Sequence, residues 1–188
     1  MISIKEVEII HNILIDKFGG SKGIRDKALL ESALARPFAT FDNEDLYSTP
    51  IEKASAILES VAINHPFIDG NKRTAYTLMR LILLENKLDI TASQEEKYNL
   101  VIAVSTGEYR FDDIKNWIQK YIGKVSKFIV CIQSIDVIDI RLLLIISIGN
   151  NIKNIFLCSS VSVYRKIIIF IYFVKQTTAK NKLWSFCN

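Results

Sequence analysis

Cysteine is scarce in this chain, and the few cysteines form no recognisable pattern. There are three of them, Cys131, Cys158 and Cys187, and all lie in the last third of the 188 residues. Their spacing matches no metal-binding motif, and an odd number argues against a closed disulfide framework. The cysteine content therefore favours a reducing, cytoplasmic setting.

Features of exported proteins and of nucleic-acid-binding proteins are also missing. The N-terminus, MISIKEVEII, alternates charged and apolar residues, so it does not resemble a secretory signal. Residues 1–126 carry 16 lysines and arginines against 18 aspartates and glutamates, which is not the basic footprint of a nucleic-acid binder. Direct binding of nucleic acid is not expected.

The last 62 residues contain no glutamate, no proline and one alanine. This change in composition predicts one domain over residues 1–126 and a hydrophobic, basic tail of unknown structure over residues 127–188. Three charged residues in the apolar stretch 128–149 cost roughly 3 kcal/mol each in a bilayer, which disfavours a membrane partner. An alternative origin of the tail is translation of AT-rich DNA after a frameshift or a lost stop codon.

The first 126 residues show helical periodicity and predict an all-α fold. Start signals mark the first three helices: Ser3 with Glu6, Asp26, and Thr49 with Pro50 and Glu52. Apolar stripes predict three more helices, from about Asn71 to Asn86, Gln94 to Ser105 and Asp112 to Tyr121. The stretch from Phe38 to Ser48 is expected to be irregular.

Residues 65–74, HPFIDGNKRT, lie between two of these predicted helices and combine residue types suited to phosphate transfer. A helix N-terminus offers unpaired N–H groups and the positive end of a dipole to an anion. Lys72 and Arg73 add two cations, and Gly70 lets the backbone approach a ligand closely. Asp69 is the one carboxylate available for Mg²⁺, and His65 has a pKa suited to a general base.

Taken singly, these residues have ordinary structural explanations. An Asp-Gly-Asn run is usually a turn, and a histidine before proline is usually structural. A plain turn, however, needs neither the two cations nor the histidine. His11 lies on the apolar stripe of the first helix and is interpreted as a core histidine outside the site.

The motif resembles that of the Fic/Doc family, which reads HPFxxGNGR or, in the death-on-curing branch, HxFx(D/N)(A/G)NKR. Every specified position of the second form is matched, by His65, Phe67, Asp69, Gly70, Asn71, Lys72 and Arg73. Residues 23–37, GIRDKALLESALARP, also look like this branch. The resemblance covers about residues 1–124 and none of the tail.

This resemblance implies a helical bundle with the motif loop between two central helices. It implies that His65 is the catalytic base, that Asp69 holds Mg²⁺, and that the phosphates of ATP are bound by Gly70, Asn71, Lys72 and Arg73. In the death-on-curing branch the γ-phosphate passes to a serine or threonine of a host protein, elongation factor Tu being the branch's known target. Translation is then arrested.

Several positions depart from the adenylyltransferases of the family or from its kinase branch. Lys72 and Tyr76 stand where the adenylyltransferases carry glycine and a second arginine, which argues against transfer of AMP. Thr77 stands where the kinase prototype has asparagine. The inhibitory motif (S/T)xxxE(G/N) is absent, Thr91 with Glu95 being the nearest approach, so a separate cognate antitoxin is expected. Residues 38–47 would form the family's flap, with an ordinary surface loop as the alternative.

The sequence thus predicts a death-on-curing-type toxin with protein kinase activity. Transfer of AMP by the same site is one alternative. A non-catalytic binding module is another, and a membrane-associated effector, which rests only on the tail, is the third.

Overall fold

The computed structural model describes residues 2–124, and most of this range is helical. The helices are α1 (Ile4–Phe18), α2 (Lys27–Ala35), α3 (Pro50–Asn64), α4 (Asn71–Glu85), α5 (Gln94–Ser105) and α6 (Phe111–Tyr121). The predicted all-α class is confirmed for this range. The boundary after residue 126 and the tail 127–188 lie outside the described residues, so the division into two parts stays a prediction.

The helix starts follow the local signals in the sequence. In α1, the Ser3 hydroxyl accepts from the N–H of Glu6 at 3.3 Å, and the Glu6 carboxylate accepts from the N–H of Ser3 at 2.6 Å. The same reciprocal box joins Thr49 and Glu52 at the start of α3. Such caps satisfy N–H groups that have no partner inside the helix.

Helices α3 and α4 form the centre of the domain. They pack against each other, and α3 also contacts α2, α5 and α6. Both are buried on almost every side; fully buried positions of α3 include Ala54, Ala56, Ile57, Leu58, Val61 and Ala62. A helix that is apolar around most of its circumference belongs in a core. The motif loop, residues 65–70, connects these two central helices.

Short strands supplement the helices. Strands β1 (Thr40–Phe41) and β2 (Glu44–Asp45) form a hairpin within the stretch that was expected to be irregular, after a 3₁₀ turn at Arg36–Phe38. Strands β3 (Leu88–Ile90) and β4 (Ile122–Lys124) pair antiparallel. Within residues 2–124, no helix is both long and apolar enough to cross a bilayer.

Candidate active site

The motif loop is fixed at both ends by left-handed backbone positions. His65 terminates α3 with φ 47° and ψ 55°, and Gly70 precedes α4 with φ 69° and ψ 13°. A Cβ on Gly70 would lie 2.8 Å from Cδ1 of Ile15, closer than a Cβ normally approaches another atom. Glycine is therefore required here for its positive φ and for the close packing of α1 against the loop.

A second segment, residues 23–26, runs beside the motif loop and pairs with it. The N–H groups of Arg25 and Asp26 both donate to the carbonyl of Pro66, at 2.8 and 3.1 Å. The N–H of Ile68 donates to the carbonyl of Gly23 at 3.0 Å. These backbone bonds hold the loop open and extended rather than collapsed onto its own turn.

Asn71 closes the loop from within. Its side-chain oxygen accepts from the N–H of Phe67 at 2.8 Å, and its side-chain nitrogen donates to the carbonyl of Phe67 at 2.9 Å. The amide group predicted to bind phosphate is thus engaged with the loop backbone. The backbone N–H of Asn71 is at the first position of α4, where no side chain caps the helix. The N–H groups in the first turn of a helix have no partner inside the helix, so they can donate hydrogen bonds to an anion.

Arg73 is a buried cation without a hydrogen-bond partner among the described residues. Its side chain is 1% exposed, and Nε and both Nη atoms are unbonded. A carboxylate oxygen of Asp69 lies 4.0 Å from Nη2, at the outer limit of an ion pair. An isolated buried charge costs several kcal/mol. An anion bound next to Arg73 would offset this cost.

Asp69 is held at the edge of the site by the chain that follows α1. Its Oδ2 accepts from the N–H of Ser21 at 3.2 Å, and its Oδ1 accepts from the N–H of Gly70 at 2.5 Å. Gly20, with φ 115°, lies directly against the carboxylate, and a Cβ there would collide with it. About a third of the Asp69 side chain is exposed, so a ligand can reach it.

The residues present fit a magnesium ion bound mainly through phosphate. Within the part of the chain that the structure describes, no three His, Cys, Asp or Glu side chains lie close enough to form a protein-only cage. Mg²⁺ on a nucleotide is usually held by one or two carboxylates together with phosphate oxygens and water. Asp69 supplies one such carboxylate next to the cationic end of the loop.

Two nearby cations favour the neutral form of His65. Partial burial lowers the pKa of His65, and the positive charges of Arg25 and Lys72 lower it further. A neutral imidazole can accept a proton, which is what a general base must do. Arg25 also donates to the carbonyl of Asn64 at 3.1 Å, at the end of the helix that carries His65.

Comparison with known proteins finds a family and two relatives. The model of the Fic/DOC family matches residues 1–83. A protein named Toxin Doc, from Mycolicibacterium smegmatis, is 38% identical over 99 residues, which cover 52% of this chain and 76% of that protein. Protein kinase doc of Escherichia phage P1 is 28% identical over 125 residues, covering 66% of this chain and 98% of that protein.

The chain belongs to the Fic/Doc family. Both relatives are Doc proteins, and they support the Doc-like branch and a Doc-type toxin. Family membership and the name of the phage relative also support a transferase. The predicted family and branch are confirmed, whereas the roles of individual residues stay predictions.

In this Fic/Doc chain, two site neighbours were not predicted as such from the sequence. Arg25 was seen only as part of a stretch that resembles the branch, and no local pattern shows that it lies beside His65. His11 is in the core, as expected, but its ring stacks on Phe67 of the motif at 4.1 Å between centroids. Its place on the apolar stripe of α1 gave no sign of what it faces.

The region expected to be the flap of this Fic/Doc domain is a hairpin with an anchored base. The Arg36 guanidinium donates to the Tyr47 hydroxyl and to the Ser60 hydroxyl, both at 3.0 Å, and pairs with Glu59 at 2.6 Å. Phe41, in strand β1, is 76% exposed. An anchored base with an exposed aromatic side chain suits contact with another protein, so the flap assignment stays a prediction.

Proposed function

We propose that this Doc-type toxin transfers the γ-phosphate of ATP to a serine or threonine hydroxyl of a host protein. Elongation factor Tu is the target expected from the resemblance to the death-on-curing branch. Modification of that factor would arrest translation. A cognate antitoxin would restrain the toxin, because no inhibitory motif is found in the chain and its relatives are Doc toxins.

The observation that carries the proposal is the buried guanidinium of Arg73 at the start of α4, which has no hydrogen bond to a described residue. A cation 4 Å from a phosphate contributes about 4 kcal/mol at an effective dielectric of 20, whereas a helix dipole contributes about 0.3 to 1. Arg73 and Lys72 would therefore dominate phosphate binding. The first N–H groups of α4, beginning at Asn71, would add directed hydrogen bonds, and Gly70 leaves room for them.

Asp69 would hold Mg²⁺ beside the phosphates. The ion, when bound, would neutralise part of the phosphate charge during transfer. The role of the chain is to keep the carboxylate in place, and the hydrogen bond from Ser21 and the contact with Gly20 do this. The resulting cluster has one carboxylate facing two cations, so a nucleotide enters a site with net positive charge.

His65 would accept the proton of the attacking hydroxyl. Its lowered pKa keeps the imidazole neutral near pH 7, and a general base of this kind typically contributes 10² to 10⁴ in rate. Arg25, whose positive charge also lowers the pKa of His65, would oppose protonation of the base in the resting enzyme.

Lys72 supports transfer of phosphate rather than of AMP. Its charged side chain stands where the adenylyltransferases have glycine, and it would occupy space needed by their nucleotide phosphates. Tyr76, in place of their second arginine, is buried in the core at 2% exposure and adds no cation. The name of the phage relative, a protein kinase, supports the same choice.

Two labelled nucleotides test the proposal on the purified full chain with elongation factor Tu as acceptor. Label from [γ-³²P]ATP should enter the acceptor and label from [α-³²P]ATP should not. The reverse result would establish AMP transfer. His65→Ala and Asp69→Asn should each reduce labelling at least 100-fold, while thermal melting verifies that both variants are folded.

A growth assay separates catalysis from binding. Expression of the wild-type chain should arrest growth, and the arrest should disappear with His65→Ala or Asp69→Ala. Arrest that survives both substitutions would support a non-catalytic binding module. Expression of Glu31→Ala, an exposed change on α2, is the control and should arrest growth like the wild type.

A further inference from the structure

The side chain of His11 lies against three separate parts of the motif. Its ring lies parallel to that of Phe67, with centroids 4.1 Å apart and planes 13° apart. Its Nδ1 and the Thr74 hydroxyl, in the first turn of α4, are 3.1 Å apart. Its Cε1 would be 3.4 Å from a Cβ on Gly70. One side chain therefore spans the loop, the helix start and the glycine between them.

Burial leaves one polar atom of His11 without a hydrogen bond, a cost that an apolar side chain would avoid. The side chain is 1% exposed, and Nε2 has no hydrogen-bond partner among the described residues. An unsatisfied buried polar atom typically costs about 1 to 3 kcal/mol. Burial, and then the charge of Arg73, lower the pKa of His11 to about 4, against an opposing effect of Asp69. The imidazole is therefore neutral near pH 7, and it adds no charge that would repel Arg73.

We propose that His11 is a positioning residue, which aligns the motif loop with the first turn of α4 through the Phe67 stack and the Thr74 hydrogen bond. Phosphate transfer needs Asp69 on the loop and Arg73 on the helix to meet one ligand, so their relative placement limits the rate. A misplacement of 1 Å at such a site reduces rate about 100-fold. This inference rests on the proposed function.

Two substitutions of His11 each remove one of its two contacts and keep the other. His11→Phe keeps a flat ring against Phe67 and loses the bond to Thr74. His11→Asn keeps a polar group that can reach Thr74 and loses the stack. Val7→Ala is the matched control, because Val7 is fully buried one turn earlier on α1.

The test compares kcat/KM for Mg-ATP among these full-length proteins, with elongation factor Tu as acceptor and thermal melting alongside. His11→Phe should lose about 10- to 100-fold, and His11→Asn should recover part of that loss. Val7→Ala should be less stable than the wild type yet keep its kcat/KM below the melting transition. Wild-type kcat/KM in His11→Phe, or an equal loss in Val7→Ala, would overturn the inference alone. Absence of transfer by the wild-type chain would overturn the proposed function, and this inference with it.

Discussion

Helix α4 carries two largely buried arginine side chains, Arg73 and Arg80, whose hydrogen-bond partners differ. Arg80, towards the C-terminal end, donates from Nε and Nη2 to the two carboxylate oxygens of Asp89 at 2.6 and 2.7 Å. Arg73, two turns earlier, is more deeply buried, at 1% side-chain exposure against 13%. Its guanidinium has no hydrogen bond to a described residue, and Asp69 is 4.0 Å away.

In the proposed function, the two arginines have different roles. A paired guanidinium gains two charge-assisted hydrogen bonds in a fixed fork. An unpaired one retains its desolvation cost, which several kcal/mol of other contacts must offset. A carboxylate fork satisfies Arg80, whereas Arg73 has no hydrogen bond to a described residue and lies near the helix N-terminus, where the dipole favours an anion. We therefore propose that the Arg73 end binds the phosphate and that Arg80 is structural.

The largest expected effect follows from substituting the two arginines in the same way. Arg73→Gln should reduce γ-phosphate transfer at least 100-fold, because the cation closest to the expected phosphate is lost. Arg80→Gln should reduce it less than threefold at a temperature where that variant is folded. Initial rates with [γ-³²P]ATP measure both. Equal losses would remove the functional distinction between the two ends.

Stability should respond in the opposite order. Arg80→Gln leaves the Asp89 carboxylate without its partner and should lower the free energy of unfolding by about 2 to 3 kcal/mol. Arg73→Gln removes a buried charge whose carboxylate partner, Asp69, is 4.0 Å away, and should leave stability unchanged or raise it by about 1 kcal/mol. Urea unfolding followed by circular dichroism gives both values. A large destabilisation by Arg73→Gln would indicate that Arg73 is mainly structural.

Acid should lower the free energy of unfolding through His11, which lies close to the Arg73 end of α4. The pKa of His11 is about 4 in the folded chain and near its ordinary value of 6.5 in the unfolded chain. As the pH falls below 6.5 the unfolded chain therefore takes up a proton that the folded chain does not, and stability declines until about pH 4. Between pH 6.5 and 5 the wild type should lose about 1 to 2 kcal/mol more than His11→Phe. Parallel pH profiles of urea unfolding would contradict this.

The smallest effect concerns simple anions. Inorganic phosphate at a concentration equal to its Kd should stabilise the wild type by about 0.4 kcal/mol, because it binds only the folded state. Chloride at the same ionic strength is the control. The gain should persist in Arg80→Gln and vanish in Arg73→Gln. A gain in all three proteins would indicate a general salt effect.

Much of the fold follows from local signals in the sequence. The capping residues Ser3 and Thr49 place the starts of α1 and α3, and the apolar stripe after the motif places α4 within about a residue at each end. These signals are local because capping bonds join residues only three apart. The motif can also be recognised from the sequence, because its residues lie within ten consecutive positions.

The rest depends on contacts between distant segments. Strands β3 and β4 have three residues each and are about 30 residues apart, so neither carries a recognisable pattern. The pairing of Gly23 and Arg25 with the loop is backbone bonding, which hardly depends on side chains. The sequence places Arg73 in the motif but cannot show that the folded domain leaves it unpaired.

Calorimetric titration of the full chain with Mg-ATP tests whether Arg73 binds the nucleotide phosphate. The wild type, Arg73→Gln and Arg80→Gln are measured side by side. We expect saturable binding by the wild type and by Arg80→Gln, and affinity at least 100-fold weaker for Arg73→Gln. Binding of similar strength by all three proteins, or no binding by the wild type, would contradict the proposal that Arg73, near the N-terminus of α4, binds the nucleotide phosphate.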